Sequence, residues 1–243
     1  MKMDYKALLV TENNGAYDKK IVTLNTNDLP KNDLLVKVKY SSINYKDALS
    51  SSGNKGVTKH YPHVPGIDAV GTVIESASDK FALGSDVLIT GYDLGMNTWG
   101  GFGEYISIPQ SWAILLPKEL SAKESMSFGT AGLTAALSVN YLTENGILPD
   151  NGKIVVSGAT GGVGSIAVSI LAKLGYDVTA ISGKDEHLFL TQTLGAKEVI
   201  SRNEFIESYN KKTLAKPLFA GSIDTVGGEI LSGMRSEERR VGK

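Results

Sequence analysis

The residues best equipped for chemistry in this sequence are the glycines at 158–164. In Lys153-Ile-Val-Val-Ser-Gly-Ala-Thr-Gly-Gly-Val-Gly164, an apolar stretch from Ile154 to Val156 precedes a turn holding Gly158, Gly161, Gly162 and Gly164. Ile166, Ala167, Ile170, Leu171 and Leu174 follow at helical spacing. Strand, glycine turn and helix in that order let backbone N–H groups meet a pyrophosphate at a helix N-terminus. The turn is not a strict GxGxxG: Ala159, Gly161 and Gly164 stand at its three glycine positions. Glycines often only shape a turn, so the dinucleotide reading rests on the strand before them and the helix after them.

The next strand decides which dinucleotide. An NAD site usually ends that strand with Asp or Glu, bonded to the ribose 2′-hydroxyl. Here the predicted strand Asp177–Ser182 runs into Gly183 and Lys184. Hydroxyl, backbone N–H and ammonium donors attract a 2′-phosphate that a carboxylate would repel. The expected cofactor is therefore NADPH, with Asp185 and Glu186 opening the following helix as N-terminal acids. The alternative is a solvated lysine in a surface turn.

The elements that must position these residues fall into two regions, giving an α/β fold class. Residues 1–123 read as β-rich, with strands at Lys6–Val10, Leu34–Tyr40, within Gly66–Ile74, at Asp86–Thr90 and at Glu104–Pro109, and a short helix within Ser41–Ser50. Gly, Pro and Asn clusters, notably 91–103, separate them, as in a small barrel with long loops. Ser121-Ala-Lys-Glu124 is a capping box opening a helix through Leu142, with expected interruptions at Gly129 and Gly132. Residues 124–234 then alternate strand and helix as 153–157, 164–174, 177–182 and 185–194, with strands near 198–201 and 222–226. This is the pattern of a doubly wound parallel sheet.

Residues 235–243 carry six charges and no apolar pattern, and are expected to lie outside the fold. Only four strands of the dinucleotide sheet are countable, so the sequence reads as a fragment with an unrelated tail; a naturally short domain ending in a solvated segment is the alternative. The 243 residues are 42% hydrophobic with net charge −1. That gives no electrostatic reason to invoke nucleic acid or an anionic membrane. No apolar run reaches membrane-spanning length and no signal peptide opens the chain, so the expected location is cytoplasmic. Absence of cysteine excludes disulfides, thiolate metal ligands and a cysteine nucleophile.

Five motifs in order resemble the zinc-independent quinone oxidoreductases of the medium-chain dehydrogenase/reductase superfamily, most of all the YhdH/YhfP group that includes acryloyl-CoA reductases. They are Ile43-Asn-Tyr-Lys-Asp-Ala-Leu49, Pro65-Gly-Ile-Asp-Ala-Val-Gly-Thr-Val73, Trp99-Gly-Gly-Phe-Gly-Glu104, Gly129-Thr-Ala-Gly-Leu-Thr-Ala135 and Gly158-Ala-Thr-Gly-Gly-Val-Gly164, extended by Ile223-Asp-Thr-Val-Gly-Gly228. The resemblance implies a GroES-like N-terminal catalytic domain, here without its C-terminal segments, and a truncated Rossmann domain. Zinc-dependent relatives have Gly-His-Glu where this chain has Gly66-Ile67-Asp68, and isoleucine cannot bind a metal. His60 and His63 have no clear third ligand and are expected as loop or packing residues, so no metal is expected.

The resemblance implies hydride transfer from NADPH to a small-molecule electron acceptor: an activated alkene such as an enoyl or acryloyl thioester or enone, or a quinone. For an alkene, an enolate must be stabilised and a proton supplied. Tyr45 is the candidate for bonding the cofactor or the polarised substrate, or for delivering the proton directly or through water. By resemblance its loop lines the cleft near the nicotinamide, with Asn44 and Asp47 fixing it. The alternative is that Tyr45 packs a loop with its hydroxyl in solvent. Asp68 reads as a structural acceptor rather than a general base. Thr130 and Thr134 are candidate cofactor contacts or interior packing residues. The resemblance places Thr160, Gly161, Gly162 and Val163 around the pyrophosphate, Ser182, Gly183 and Lys184 at the 2′-phosphate, and Arg202 near the adenine or exposed without a ligand. Competing functions are a zinc-independent alcohol dehydrogenase-like enzyme, a non-catalytic NADPH-binding protein, and an inactive fragment. Full-length members of the family are expected as homodimers, an expectation that does not extend safely to this chain.

Overall fold

The computed structural model describes residues 3–209 and 219–238. Two compact units are formed, Met1–Thr130 and Ala131–Lys243. In the first, β1 (Asp4–Asn13) and β2 (Ala16–Asn25) make an antiparallel hairpin around Asn14-Gly15, both at positive φ. This is the geometry that a two-residue hairpin loop of that composition favours. Strands β3 (Leu34–Tyr40), β4 (Asp68–Ser76), β5 (Asp86–Thr90), β6 (Tyr105–Ile108) and β7 (Ile114–Leu115) form an antiparallel sheet in the order β6-β3-β4-β5-β7. The hairpin joins this domain through bridges Ala7–Gly103 and Val10–His63. Alternate residues of β3 and β5, among them Leu34, Val36, Val87 and Ile89, turn into a core shared with Phe81, Ile106 and Ile108. The short helix α1 (Tyr45–Ser51) sits between β3 and β4 in sequence.

Helix α2 (Ala122–Glu144) is broken at Gly129, whose φ of 50° and ψ of −152° are not helical. The second expected interruption, at Gly132, does not occur. The break adjoins the division between the units.

The second unit is built on a parallel sheet of β8 (Lys153–Ser157), β9 (Val178–Ser182), β10 (Glu198–Ser201) and β11 (Phe219–Ile223), in the order β10-β9-β8-β11. Helices α3 (Gly162–Lys173), α4 (Arg202–Tyr209) and α5 (Gly228–Glu238) connect or follow these strands. Ile154, Val156, Val178 and Ala180 pack with Ala167, Val168 and Leu171 of α3 on one face, and Val155 and Ile181 with Phe205, Ile230 and Met234 on the other, which is why both strands read as near-continuous apolar runs. The expected helix at 185–194 is present but shorter, helical over 187–193 and π-type over Phe189–Thr193. β11 ends at Ile223, three residues short of the predicted end at 226, leaving Asp224–Val226 in a turn. The backbone of α5 is helical to Glu238, four residues into the expected tail; residues 239–243 lie outside the described residues. Among the described residues, no helix is long and apolar enough to cross a membrane.

Candidate functional site

In the second unit, β8 delivers the chain into Gly158, at φ 57°. Gly158 C=O accepts the N–H of Gly161 at 2.8 Å, which closes the turn. Gly161 stands at the N-cap of α3 and no side chain caps that terminus. The first N–H groups of a helix have no intrahelical acceptor, so such an end is an anion site in waiting. Thr160 and Val163 flank it, half-buried. Gly164 is the contact between helix and strand: a Cβ there would lie 2.8 Å from Gly158 C and 2.9 Å from Ala159 Cα.

At the carboxyl end of β9 a cavity of about 550 Å³ is lined by Ser182, Gly183, Lys184, His187, Ser201 and Arg202, among others. The buried Ser182 hydroxyl accepts the Lys184 N–H at 3.0 Å and donates to Lys184 C=O at 3.1 Å. Its proton is thus engaged in shaping the turn. Arg202, the first residue of α4, lays its guanidinium over Gly183, where a Cβ would come within 3.3 Å of it. Lys184 Nζ lies 3.9 Å from Glu186, an exposed and therefore weak pair. Asp185 and Glu186 stand directly before the next helical stretch, where Glu186 C=O accepts the Leu190 N–H at 3.0 Å, and Asp185 lines the cavity. Sequence reasoning missed His187 and Ser201; the latter caps the start of α4 by accepting the Glu204 N–H at 3.2 Å. A serine between a strand and a helical stretch was the available signal.

The first unit brings Asn44, Asp47 and Asp68 together around the start of α1. Asn44 is the N-cap, and its N–H donates to Asp47 Oδ2 at 2.7 Å. Asp47 Oδ1 accepts the N–H groups of Gly66 and Ile67 at 3.1 and 2.9 Å. Burial pushes the Asp47 carboxyl above the ordinary range and nearby Asp68 adds to this, while the three backbone donors pull the other way. Asp68, 0% exposed, accepts from Ser42 Oγ, from Asn44 Nδ2 at 2.8 Å, from Thr130 N at 2.9 Å and from Thr130 Oγ at 2.6 Å. That is the geometry of a structural acceptor, with no exposed face for a base. Gly129 is required for it: a Cβ there would stand 2.6 Å from Asp68 Oδ2 and 2.8 Å from Ser42 Oγ.

Tyr45, next to this anchor, is 80% exposed, so it does not pack the loop. Thr130 spends its hydroxyl proton on Asp68, and Thr134 is exposed and not interior. His63 is buried, with Nε2 2.9 Å from Gly95 C=O, and its pKa is lowered by burial; His60 is exposed. Among the described residues, no group of three or more His, Cys, Asp or Glu is placed to hold a metal ion.

A barrel-like domain followed by a parallel sheet with a glycine turn defines the medium-chain dehydrogenase/reductase class. Residues 30–118 match the Alcohol dehydrogenase GroES-like domain. The chain is 46% identical over 233 residues to YhfP of Bacillus subtilis, named as a quinone oxidoreductase, covering 96% of this chain and 70% of YhfP. It is 39% identical over 230 residues to the acrylyl-CoA reductase AcuI of Ruegeria pomeroyi, covering 94% and 69%. The crystal structure of the YhdH oxidoreductase from Salmonella enterica in complex with NADP aligns at a TM-score of 0.90 and 42% identity, over 97% of this chain and 71% of that one. The YhfP structure, with NAD bound, aligns at 0.91, 46% identity and the same coverage. The chain belongs to this quinone oxidoreductase and acrylyl-CoA reductase family.

Proposed function

We propose that the protein is an NADPH-dependent, zinc-independent oxidoreductase that reduces an activated alkene, such as an acryloyl or other enoyl thioester, or a quinone. The observation that carries this reading is the uncapped N-terminus of α3 behind the glycine turn, paired with the Lys184 and Arg202 cavity at the end of β9. The residues fit the cofactor: backbone N–H groups of Gly162 and Val163 would hold the diphosphate, and Lys184 with Arg202 the 2′-phosphate. When bound, NADPH supplies the hydride, which adds to the β-carbon of the alkene. Tyr45 then serves the other half of the reaction, donating a hydrogen bond to the carbonyl oxygen as enolate charge develops and relaying a proton toward the α-carbon. Asn44 and Asp47 hold the start of α1 and thereby the tyrosine.

Titration of NADPH and NADH into the protein tests the cofactor. Lys184→Ala should weaken NADPH by about 1–3 kcal/mol, the scale of a lost charge-assisted hydrogen bond, and leave NADH unchanged. Equal or tighter binding of NADH to the unaltered protein would remove the 2′-phosphate assignment; the cavity sets Lys184 and Arg202 against Asp185 and Glu204, so that comparison is decisive.

Tyr45→Phe should lower turnover on an enone by about tenfold to a hundredfold, near the lower range for positioned acid–base groups, with little change in NADPH affinity. A quinone needs the donor less, so the loss on a quinone should be smaller. Unchanged turnover on both acceptors would take Tyr45 out of the mechanism.

A further inference from the structure

The segment Asp224-Thr-Val-Gly-Gly228 has no part in the reading above, yet it sits on the glycine turn. Register places it there: Ile223 of β11 pairs with Val156 of β8, so Asp224 and Ser157 leave the sheet side by side. Ser157 is completely buried, and its Oγ donates to Asp224 Oδ1 at 2.5 Å while accepting the Thr225 N–H at 2.9 Å. Thr225 Oγ donates to Ser157 C=O at 2.9 Å. The Asp224 carboxyl also closes its own turn, accepting the N–H groups of Val226 at 3.2 Å and Gly227 at 2.9 Å. Thr225 Oγ1 and Val226 Cγ2 occupy the space where a side chain on Gly158 would be; the Val226 carbon is 3.1 Å from that position. Val226 remains 43% exposed beside the turn.

The strand order sharpens the meaning of this contact. β8 has β9 on one side and β11, reached much later in the chain, on the other. The crevice at the carboxyl ends of two such strands is the topological switch point where open α/β sheets bind ligands. Ser157 and Asp224 are the residues that join the two strands at that crevice.

We propose that Asp224 is a positioning residue for the dinucleotide site: through Ser157 it clamps the 224–227 turn onto Gly158 and fixes the loop whose N–H groups face the diphosphate. Its consequence for ligand binding rests on the proposed cofactor; the clamp itself does not. Gly158 has no side chain because Thr225 and Val226 fill its place, and its φ of 57° is held from outside by those contacts. A loop of glycines has large conformational freedom, and ordering it before the ligand arrives reduces the entropy lost on binding.

The test is amide hydrogen exchange together with two ligands, NADP⁺ and adenosine 2′-monophosphate, on the unaltered protein, Asp224→Ala and Ser157→Ala. Adenosine 2′-monophosphate reaches the Lys184 and Arg202 cavity but has no 5′-diphosphate. Both variants should exchange the amides of residues 158–162 about tenfold faster or more, with the interiors of β9 and α3 unchanged, as for a local opening. NADP⁺ affinity should fall about tenfold while that for adenosine 2′-monophosphate stays the same, the loss being confined to one subsite. Exchange raised across the whole unit, or both ligands weakened alike, would make Asp224 a general structural residue and overturn the proposal, as would unchanged exchange in the turn. If the unaltered protein binds neither ligand, the cofactor reading fails, and the exchange measurement still decides the clamp. Ser157→Ala removes only the bridging hydroxyl, so it keeps the test available should Asp224→Ala fail to fold.

Discussion

Gly164→Ala is expected to reduce NADPH affinity on the order of a hundredfold, the scale of a misplacement near 1 Å in a positioned site. The methyl group would meet Gly158 C at 2.8 Å and Ala159 Cα at 2.9 Å, and would strike Gly158 C=O as well. All of these are backbone atoms, so no rotamer change relieves the clash. Only a shift of α3 away from β8 does, and that shift carries the Gly162 and Val163 N–H groups with it. Overpacking of this kind should also lower stability by about 1–3 kcal/mol. Gly162→Ala is the control: its Cβ would meet only the Ala131 methyl, at 3.3 Å, a contact that yields by a few tenths of an ångström. Fluorescence titration and thermal unfolding of the two variants give the comparison. Gly164→Ala with an affinity within about twofold of the unaltered protein would show that the helix does not set the position of the diphosphate donors.

How far such features can be read from sequence depends on the range over which their causes act. β3, β5, β8 and β10 were legible to within a residue because alternation or a short apolar run between turn residues is a local signal. β2 was not read, since Ala16–Asn25 exposes most of its residues on both faces and shows no buried stripe. The Asn14-Gly15 pair before it was the available clue. The glycine turn and the Ser182-Gly183-Lys184 turn were legible for the same local reason. Partnerships were not. Asp68 reads as an acceptor, but nothing local says that Thr130, 62 positions away, supplies two of its donors. Asp224 belongs to a recognisable motif, yet its meaning depends on Ser157, 67 positions earlier, and on the register that aligns the two strands. Gly129 and Gly132 look alike in sequence. Only Gly129 breaks the helix, because only there does the backbone have to turn its N–H groups and Thr130 toward a buried carboxyl.

That carboxyl is the site of the second large effect. Asp68→Ala should destabilise the first unit by about 3 kcal/mol or more, since each buried donor left without an acceptor costs about 1–3 kcal/mol. Four donors lose their partner at once: Ser42 Oγ–H, Asn44 Nδ2–H, Thr130 N–H and Thr130 Oγ–H. Asn44 and Ser42 can turn toward each other, since Asn44 Nδ2 is already 3.0 Å from Ser42 Oγ, but Thr130 N–H is fixed by the backbone at the helix break. Asp68→Asn should be milder in stability and still harmful in function. Its amide nitrogen must face donors on one side, either Thr130 Oγ–H or the group on Oδ2, so one bond becomes a repulsion. Because Asn44 caps α1 directly before Tyr45, loosening it should lower turnover while NADPH affinity, which the proposed site assigns to residues of the other unit, stays within a few-fold of the original. A cycle of Asp68→Asn with Ser42→Ala and Thr130→Val would show coupling well beyond additivity if one carboxyl holds all three groups. Additive losses, or an Asp68→Ala protein that melts with the unaltered one, would mean that Ser42, Asn44 and Thr130 are held by something other than Asp68, and the tyrosine with them.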